Sequence, residues 1–288
     1  TSATQNNSTG AGNATLTART SGGSTMDVSA ATGSSKAFTL TGATGVDILT
    51  GGAGADIIVG AGNNDVLKGG GGSDSIIGGA GMDIITGGTG NDIITVDASF
   101  DSVTDLGGAG GDESDVLIVA AGAIASATGI IGFTATSATQ NNSYGAGSVT
   151  LSAANGGDRT IDVSGAKSDS KGFTLTGGDG ADTLTGGSGA DIITGGDSVD
   201  TISGGGESDS ITGNLGNDII SAGAGNDIIT VDFGTDTVLD LGGAGSGGES
   251  DVVIVADGAT LNATGVISFT ATSATQNNST GAGNATLT

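Results

Sequence analysis

Aspartate recurs at every ninth residue over two long stretches, and this spacing constrains the fold more than any other feature of the chain. The surrounding residues share one pattern, as in GGAGADIIV and GGTGNDIIT. A short unit repeated in uninterrupted blocks is typical of a solenoid, in which each unit packs on its neighbours. The aspartates are Asp47, Asp56, Asp65, Asp74, Asp83 and Asp92 in the first block, and Asp182, Asp191, Asp200, Asp209, Asp218 and Asp227 in the second.

A second, longer repeat encloses the first. The opening segment TSATQNNSTGAGNATLT (residues 1–17) recurs unchanged at residues 272–288, and with small changes at residues 136–152. The long period is therefore 135 or 136 residues. Two whole units and the start of a third are present, and we expect the chain to be a window on a longer array.

Composition predicts strands around a thin core. The 288 residues include 60 Gly but no Pro, Cys or Trp, and aromatic residues make up only 2%. We expect the first six residues of each nonapeptide to turn and the last three to form a short strand, whose eighth position points inward. The predicted core residues are Leu49, Ile58, Leu67, Ile76, Ile85, Ile94, Leu184, Ile193, Ile202, Ile211, Ile220 and Ile229.

The charge balance predicts a bound cation. Six Lys and Arg residues face 31 acidic residues, all of them Asp except Glu113, Glu207 and Glu249. Stacked coils would bring the aspartates into rows of like charge, and an oxygen-preferring cation such as Ca²⁺ would relieve the repulsion. The alternative is that the aspartates only form turns in glycine-rich loops. The absence of His and Cys excludes the usual zinc, haem and iron–sulfur ligands.

The nonapeptide resembles the G-G-x-G-x-D-x-U-x repeat of RTX (repeats-in-toxin) proteins, which bind calcium. The resemblance implies an all-β fold, a calcium-stabilised right-handed parallel β-roll with two nonapeptides per turn, in two tandem units joined by β-rich segments. It also implies Ca²⁺ shared between adjacent turns, on the order of four ions per block, held by the twelve repeat aspartates named above. The departures from the pattern are Ala43, Ala61, Asn63, Ser198, Glu207, Asn214 and Ala222.

Each block is followed by an acidic segment that resembles the end of an RTX block. We expect Asp97, Asp101, Asp232 and Asp236 to complete the last metal site there. For the segments between the blocks, the sequence leaves open extra solenoid coils or a small β module. The predicted division is a β-rich segment (1–41), roll 1 (42–95), a closing segment (96–119), a spacer (120–176), roll 2 (177–230), a closing segment (231–255) and the start of a further unit (256–288).

These features favour a structural role over catalysis. Without His or Cys the chain lacks the usual nucleophile triads, and aspartates in equivalent rows do not resemble an acid pair in a cleft. We expect an extracellular protein, exported by type I secretion to the bacterial surface, that folds on Ca²⁺ and assembles with copies of itself into a layer, filament or fibre. The alternative is a spacer or binding region of a large RTX adhesin, with ice, a polysaccharide or a cell-surface ligand as its target. Binding of nucleic acid or insertion into a membrane is not expected of so acidic a chain.

Overall fold

A computed structural model describes residues 14–18, 22–31, 36–97, 100–107, 114–143, 149–167, 171–241, 250–264, 276–277 and 285–287. All regular elements within these residues are β-strands. The chain divides into two compact units, Thr1–Tyr144 and Gly145–Thr288. None of the described residues forms a helix of the length and apolarity needed to cross a membrane.

The first unit contains fourteen described strands. They are β1 (Ala14–Thr17), β2 (Thr25–Asp27), β3 (Phe38–Thr41), β4 (Ile48–Thr50), β5 (Ile57–Gly62), β6 (Val66–Gly71), β7 (Ser75–Ala80), β8 (Ile84–Thr89), β9 (Ile93–Val96), β10 (Phe100–Val103), β11 (Val116–Val119), β12 (Ile124–Ile130), β13 (Gly132–Thr134) and β14 (Gln140–Asn141). Alternate strands join the same sheet, in the orders β1-β3-β5-β7-β9-β11-β14 and β2-β4-β6-β8-β10-β12. The chain therefore visits the two sheets in turn.

The second unit repeats this arrangement. Its described strands are β15 (Val149–Ala153), β16 (Thr160–Asp162), β17 (Thr174–Gly178), β18 (Thr183–Thr185), β19 (Ile192–Asp197), β20 (Thr201–Gly206), β21 (Ser210–Leu215), β22 (Ile219–Ala224), β23 (Ile228–Val231), β24 (Thr235–Asp240), β25 (Val252–Val255), β26 (Thr260–Ala263), β27 (Gln276–Asn277) and β28 (Ala285–Leu287). The sheet orders are β15-β17-β19-β21-β23-β25-β27 and β16-β18-β20-β22-β24-β26-β28.

Two nonapeptides make one coil of the solenoid. Ile58 pairs in parallel with Ile76, and Leu184 pairs with Ile202, so each residue lies beside the one eighteen positions later. Successive nonapeptides consequently belong to opposite sheets. The all-β fold predicted from the repeat, a parallel β-roll, is confirmed.

The core is a stack of single aliphatic side chains. All twelve residues predicted at position 8 are at most 1% exposed. Because the side chains of a strand alternate, positions 7 and 9 face outward on either side of each core residue. Phe38 and Phe173, each 2% exposed, add aromatic groups to this core one coil before the repeated aspartates begin on their sheet.

The strands within the repeat blocks are longer than expected. β5 and β8, for example, span six residues, because pairing continues from positions 7–9 into the glycines that open the next repeat. Ala61 pairs with Gly79, and Gly70 with Gly88, in this extension. These residues have positive φ angles of 87° to 110°, which allow the chain to bend while the pairing continues.

The segments outside the repeat blocks also form coils. β1 pairs in parallel with β3 and β2 with β4, ahead of the first block. β10 pairs with β12, and β11 with β14, after it. Of the two structures left open by the sequence, the described residues therefore adopt additional solenoid coils.

Five residues that depart from the repeat pattern have a left-handed backbone conformation. Ala61, Asn63, Ser198, Glu207 and Asn214 have φ angles between 67° and 87°. Each occupies a position at which the pattern has glycine. A left-handed conformation costs a non-glycine residue roughly 1–2 kcal/mol, and Asn tolerates it best. These positions therefore store strain that a glycine would release.

Replacing Ala61 with glycine is expected to stabilise the folded protein by about 0.5–1 kcal/mol, the strain released less the backbone entropy that glycine loses on folding. The free energy of unfolding would be measured by urea titration at saturating calcium. Ala53→Gly is the matched control, because Ala53 is exposed and has no positive φ. Equal stability changes in the two variants would contradict the strain at Ala61.

Candidate metal centre: the aspartate ladders

The repeated aspartates form two ladders in each unit. In a ladder, the Oδ1 atom of each aspartate accepts a hydrogen bond from the backbone N–H of the aspartate one coil earlier, as in Asp56 N–H to Asp74 Oδ1 at 2.7 Å. The first unit contains ladder 1 (Asp47, Asp65, Asp83, Asp101) and ladder 2 (Asp56, Asp74, Asp92, Asp115). The second unit contains ladder 3 (Asp182, Asp200, Asp218, Asp236) and ladder 4 (Asp191, Asp209, Asp227, Asp251).

Each ladder begins at a residue that donates its N–H but brings no carboxylate. Ser24 and Phe38 donate to Asp47 and Asp56 at 2.6 Å. Arg159 and Phe173 donate to the first aspartates of ladders 3 and 4. Phe38 and Phe173 thus occupy the position that later coils give to aspartate, which ends the row of charge and fills that position with an apolar ring.

The second carboxylate oxygen, Oδ2, accepts a hydrogen bond in three aspartates at the starts of ladders but not in most aspartates further along. Asp47, Asp56 and Asp191 accept an N–H of their own loop through Oδ2, at 2.6 to 2.8 Å. Further along, Oδ2 is buried and accepts no hydrogen bond in Asp65, Asp74, Asp83, Asp101, Asp200, Asp209, Asp218 and Asp236. A buried carboxylate oxygen without a hydrogen-bond partner is costly, so these atoms are suited to binding a cation.

The first glycine of each repeat lies against this oxygen. A Cβ atom on Gly60 would lie 2.5 Å from Asp65 Oδ2 and would collide with the carbonyl oxygen of Gly78, one coil later. Gly69 has the same neighbours in Asp74 and Gly87, and Gly195 in Asp200 and Gly213. Glycine is therefore required at this position, where it leaves room for a carboxylate and a carbonyl oxygen to approach each other.

Burial and mutual repulsion raise the pKa of several carboxyls within the ladders. Burial is the main cause of raising the pKa of Asp74 to about 7, and the charges of Asp92 and Asp56 add to it. Burial likewise raises the pKa of Asp209 to about 8, with contributions from its ladder neighbours and Glu207. Burial is also the main cause that raises the pKa to about 7 in Asp101, Asp200 and Asp236 and to about 6 in Asp65 and Asp191.

These oxygens fit a hard cation. Ca²⁺ takes six to eight oxygen ligands, from carboxylates and backbone carbonyls in particular. Side chains alone do not complete such a shell, because no group of three or more His, Cys, Asp or Glu residues among those described is arranged to hold a metal. The Oδ2 atoms and the glycine-loop carbonyls are the groups that would hold calcium, and backbone carbonyls would have to supply much of its coordination.

The ladders contain most of the predicted ligands. All twelve repeat aspartates are ladder members, and so are Asp101 and Asp236. Asp97 and Asp232 are not; they lie beside the ends of ladders 1 and 3, where their charges raise the pKa of Asp101 and Asp236. A ligand role for each of the sixteen predicted residues stays a prediction.

Sequence reasoning missed the last members of ladders 2 and 4, Asp115 and Asp251. Both are 1% exposed and accept the N–H of Asp92 and Asp227. A signal was present, because DVLI and DVVI repeat the D-x-U-x half of the nonapeptide. The steps to these residues, 23 and 24 residues instead of 18, hid them from a search at a fixed period.

Comparison with known protein families identifies the repeats. The family described as RTX calcium-binding nonapeptide repeat (4 copies) matches residues 39–67, 59–94, 68–103, 176–211 and 203–238. Both repeat blocks are RTX-type calcium-binding nonapeptide repeats. The RTX matches include Asp101 and Asp236 but stop before Asp115 and Asp251. No curated protein and no solved structure matches the chain.

Proposed function

We propose that this RTX-type chain is an extracellular structural protein that folds on Ca²⁺ and assembles with copies of itself into a surface layer, filament or matrix fibre. RTX repeats are typically structural, and the comparisons show no enzyme family. RTX repeat proteins are also typically secreted. Calcium is abundant outside cells and scarce in the cytoplasm, so folding would follow export, for which we propose the type I route to the bacterial surface.

The buried, unpartnered Oδ2 atoms support coupling between folding and calcium. In the absence of a cation, each coil adds two buried carboxylates beside those of the preceding coil, and their repulsion opposes folding. Calcium supplies positive charge and accepts the oxygen lone pairs. Since the oxygens come together only when coils stack, the free energy of binding contributes directly to folding.

Exposed isoleucines support self-assembly. Position 7 carries isoleucines that are 39–47% exposed: Ile48, Ile57, Ile84, Ile93, Ile192, Ile219 and Ile228. Strand pairing aligns Ile48, the half-buried Val66 and Ile84 in one row across three adjacent strands. Flat apolar rows of this kind favour association.

A second copy of the chain is the partner that fits these rows. Two chains of net charge −25 repel each other over most of their surface. The row Ile48–Val66–Ile84 carries no carboxylate, so two such rows can pack without bringing like charges together. Calcium in the ladders would lower the repulsion further. The same ion is thus expected to promote both folding and assembly.

Replacing Ile48 and Ile84 with threonine is expected to reduce calcium-induced assembly at least several-fold, because apolar area is lost from the row. Threonine already occupies position 7 at Thr183 and Thr201, so it is compatible with the fold. Light scattering and negative-stain microscopy would measure assembly, and circular dichroism would confirm folding. Thr50→Ser, at an outward position of the same face, is the control. Undiminished assembly of a folded double variant would contradict the role of this row.

Stacked threonines support a second candidate, a binding region of a large RTX adhesin. Thr176, Thr194, Thr212 and Thr230 are paired in register on four successive strands. A regular hydroxyl row suits an ordered hydroxyl-bearing surface such as ice or a polysaccharide. Inhibition of ice recrystallisation, or retention on a polysaccharide column, by calcium-loaded protein that does not assemble would favour this candidate over the filament.

A further inference from the structure

An apolar patch wider than the isoleucine row covers part of one sheet in the first unit. Phe100 pairs directly with Ile124 on the next strand of that sheet, and the two side chains are 47% and 42% exposed. Ser102, two residues after Phe100, pairs with Ile84 on β8. Phe100 therefore lies diagonally beside Ile84, within reach of its side chain. The aromatic ring joins Ile124 to the isoleucine row that ends at Ile84.

Met82 extends the patch on the other side of Phe100. It is 56% exposed and precedes Ile84 by two residues. The residues that follow Met82 and Phe100 are aspartates of ladder 1, and they are hydrogen-bonded to each other across adjacent coils. Met82 and Phe100 therefore lie beside each other. We use the name first-unit patch for five exposed side chains: Ile48, Ile84, Met82, Phe100 and Ile124.

The equivalent face of the second unit is mostly polar. The counterparts of Ile48, Met82, Phe100 and Ile124 are Thr183, Asn217, Thr235 and Thr260, and Ile84 alone has an apolar counterpart, Ile219. The strands pair in the same way, with Thr235 opposite Thr260. Asn217 Oδ1 also accepts the N–H of Thr235 at 2.7 Å, a bond that methionine cannot make. Since the polar version forms the same coils, the fold does not require the apolar side chains of the first unit.

The size of the first-unit patch suits a weak interface with a like surface. A large side chain has about 200 Å² of surface, and the five members of the patch are 42–56% exposed. Two patches placed face to face would therefore remove about 900–1,000 Å² from water, close to the lower limit for specific interfaces. The two isoleucines of the row, without the other three side chains, would supply less than half of this area.

The first unit of a second copy is the partner that fits this patch. The chain has a net charge of −25, so most of the surface of a second copy repels it. The five side chains of the patch are uncharged, and the neighbouring Asp83 and Asp101 are buried, at 1% and 0% exposed. Two patches related by a two-fold axis would meet without placing these carboxylates in contact. The threonines of the second unit offer less apolar area to bury.

We propose that the first units of two copies pair through the first-unit patch, and that the second units take no part in this contact. This inference rests on the proposed self-assembly and names the surfaces that meet in it. A contact of the patch with itself is closed once two chains are joined. The pair is therefore the building block. A layer or filament grows from it only through a second kind of contact, such as the rows that contain Ile192 and Ile228.

Cross-linking at introduced cysteines tests which units meet. The chain contains no Cys, so a short bis-maleimide reacts selectively at the introduced residue. Ser102→Cys places a thiol beside Ile84 and Phe100, whereas Thr237→Cys places one at the equivalent position of the second unit. At saturating calcium, the Ser102→Cys protein is expected to give covalent dimers in high yield, and the Thr237→Cys protein only the yield of random collision.

Exchange of the patch for its second-unit counterpart tests the side chains. The triple variant Met82→Asn, Phe100→Thr and Ile124→Thr is expected to weaken pairing by about tenfold or more, because most of the apolar area is lost. Pairing would be measured by sedimentation equilibrium at saturating calcium, below the concentration at which larger assemblies form, and folding by circular dichroism. The control is the triple variant Leu215→Asn, Phe233→Thr and Leu239→Thr, which removes side chains that are 46–59% exposed in the second unit. It is expected to pair like the wild-type chain.

Two results would overturn the inference while leaving self-assembly in place. One is equal pairing by the patch variant and the control variant, and the other is equal cross-linking by the two cysteine variants. Either would show that the first-unit patch is not the contact. If the wild-type chain stays monomeric at saturating calcium, a second copy does not cover the patch, and the proposed self-assembly fails together with this inference.

Discussion

Chelation of calcium with EGTA at pH 7.5 is expected to convert the β structure of both units to coil. The described ladder aspartates are at most 2% exposed, and most of their Oδ2 atoms have no hydrogen-bond partner. Without a cation these charges must be buried unneutralised beside one another, at a cost that exceeds the roughly 5–15 kcal/mol by which a typical domain is stable. The far-UV circular dichroism spectrum would show the loss of most β signal.

Re-addition of Ca²⁺ should restore the spectrum, whereas an equal concentration of Mg²⁺ should not. Mg²⁺ requires a small octahedral shell and keeps its waters, which suits poorly a site built from glycine-loop carbonyls and carboxylates. A β signal that survives EGTA unchanged would contradict the coupling of calcium to folding and would favour the alternative in which the aspartates only shape turns.

Acidification is expected to have opposite effects with and without calcium. Burial raises the pKa of Asp74 to about 7 and that of Asp209 to about 8, whereas the ordinary value is 3.8. Without calcium, the folded state therefore binds more protons than the unfolded state between about pH 4 and pH 8. The resulting stability is fully present below the unfolded pKa and is lost as pH rises through the folded values. Protons would partly replace calcium.

The measurement is β content by circular dichroism at pH 8, 7, 6 and 5, in EGTA and at a low, buffered concentration of free Ca²⁺. In EGTA, β content should rise as the pH falls to 5. At limiting calcium, β content should instead fall with the pH, because protons compete with calcium for the same carboxylates and weaken its binding. Loss of β content on acidification in EGTA would show that the ladder carboxyls are not the groups that oppose folding.

The repeat blocks were predictable because local pattern and global fold agree in them. Period-two alternation places Ile58 inward and Ile57 outward, and a nine-residue unit returns the chain to the same position in every repeat. Hence the sequence was enough to predict the core and the ladder positions from Asp47 to Asp92. The pairing of residues eighteen positions apart came from the resemblance to RTX proteins, because spacing alone does not state how many repeats make one coil.

Prediction failed where the period changes. The step from Asp92 to Asp115 includes five residues more than a regular coil, so only the D-x-U-x pattern marks the ladder there. Asp97, predicted as a ligand from the resemblance of its segment to the end of an RTX block, accepts the backbone N–H of Gly79 beside the ladder, and its ligand role stays a prediction. An aspartate belongs to a ladder when it hydrogen-bonds to the neighbouring coil. Those bonds depend on how the coils are aligned, and the alignment cannot be read from the sequence where a segment has an irregular length.

The most direct test of the central claim is the anomalous X-ray diffraction of crystals grown in calcium. The ladders predict calcium peaks between successive coils, within bonding distance of buried Oδ2 atoms such as those of Asp74 and Asp200, in both units. Peaks confined to exposed carboxylates, with the ladder oxygens left without an ion in a folded chain, would contradict it.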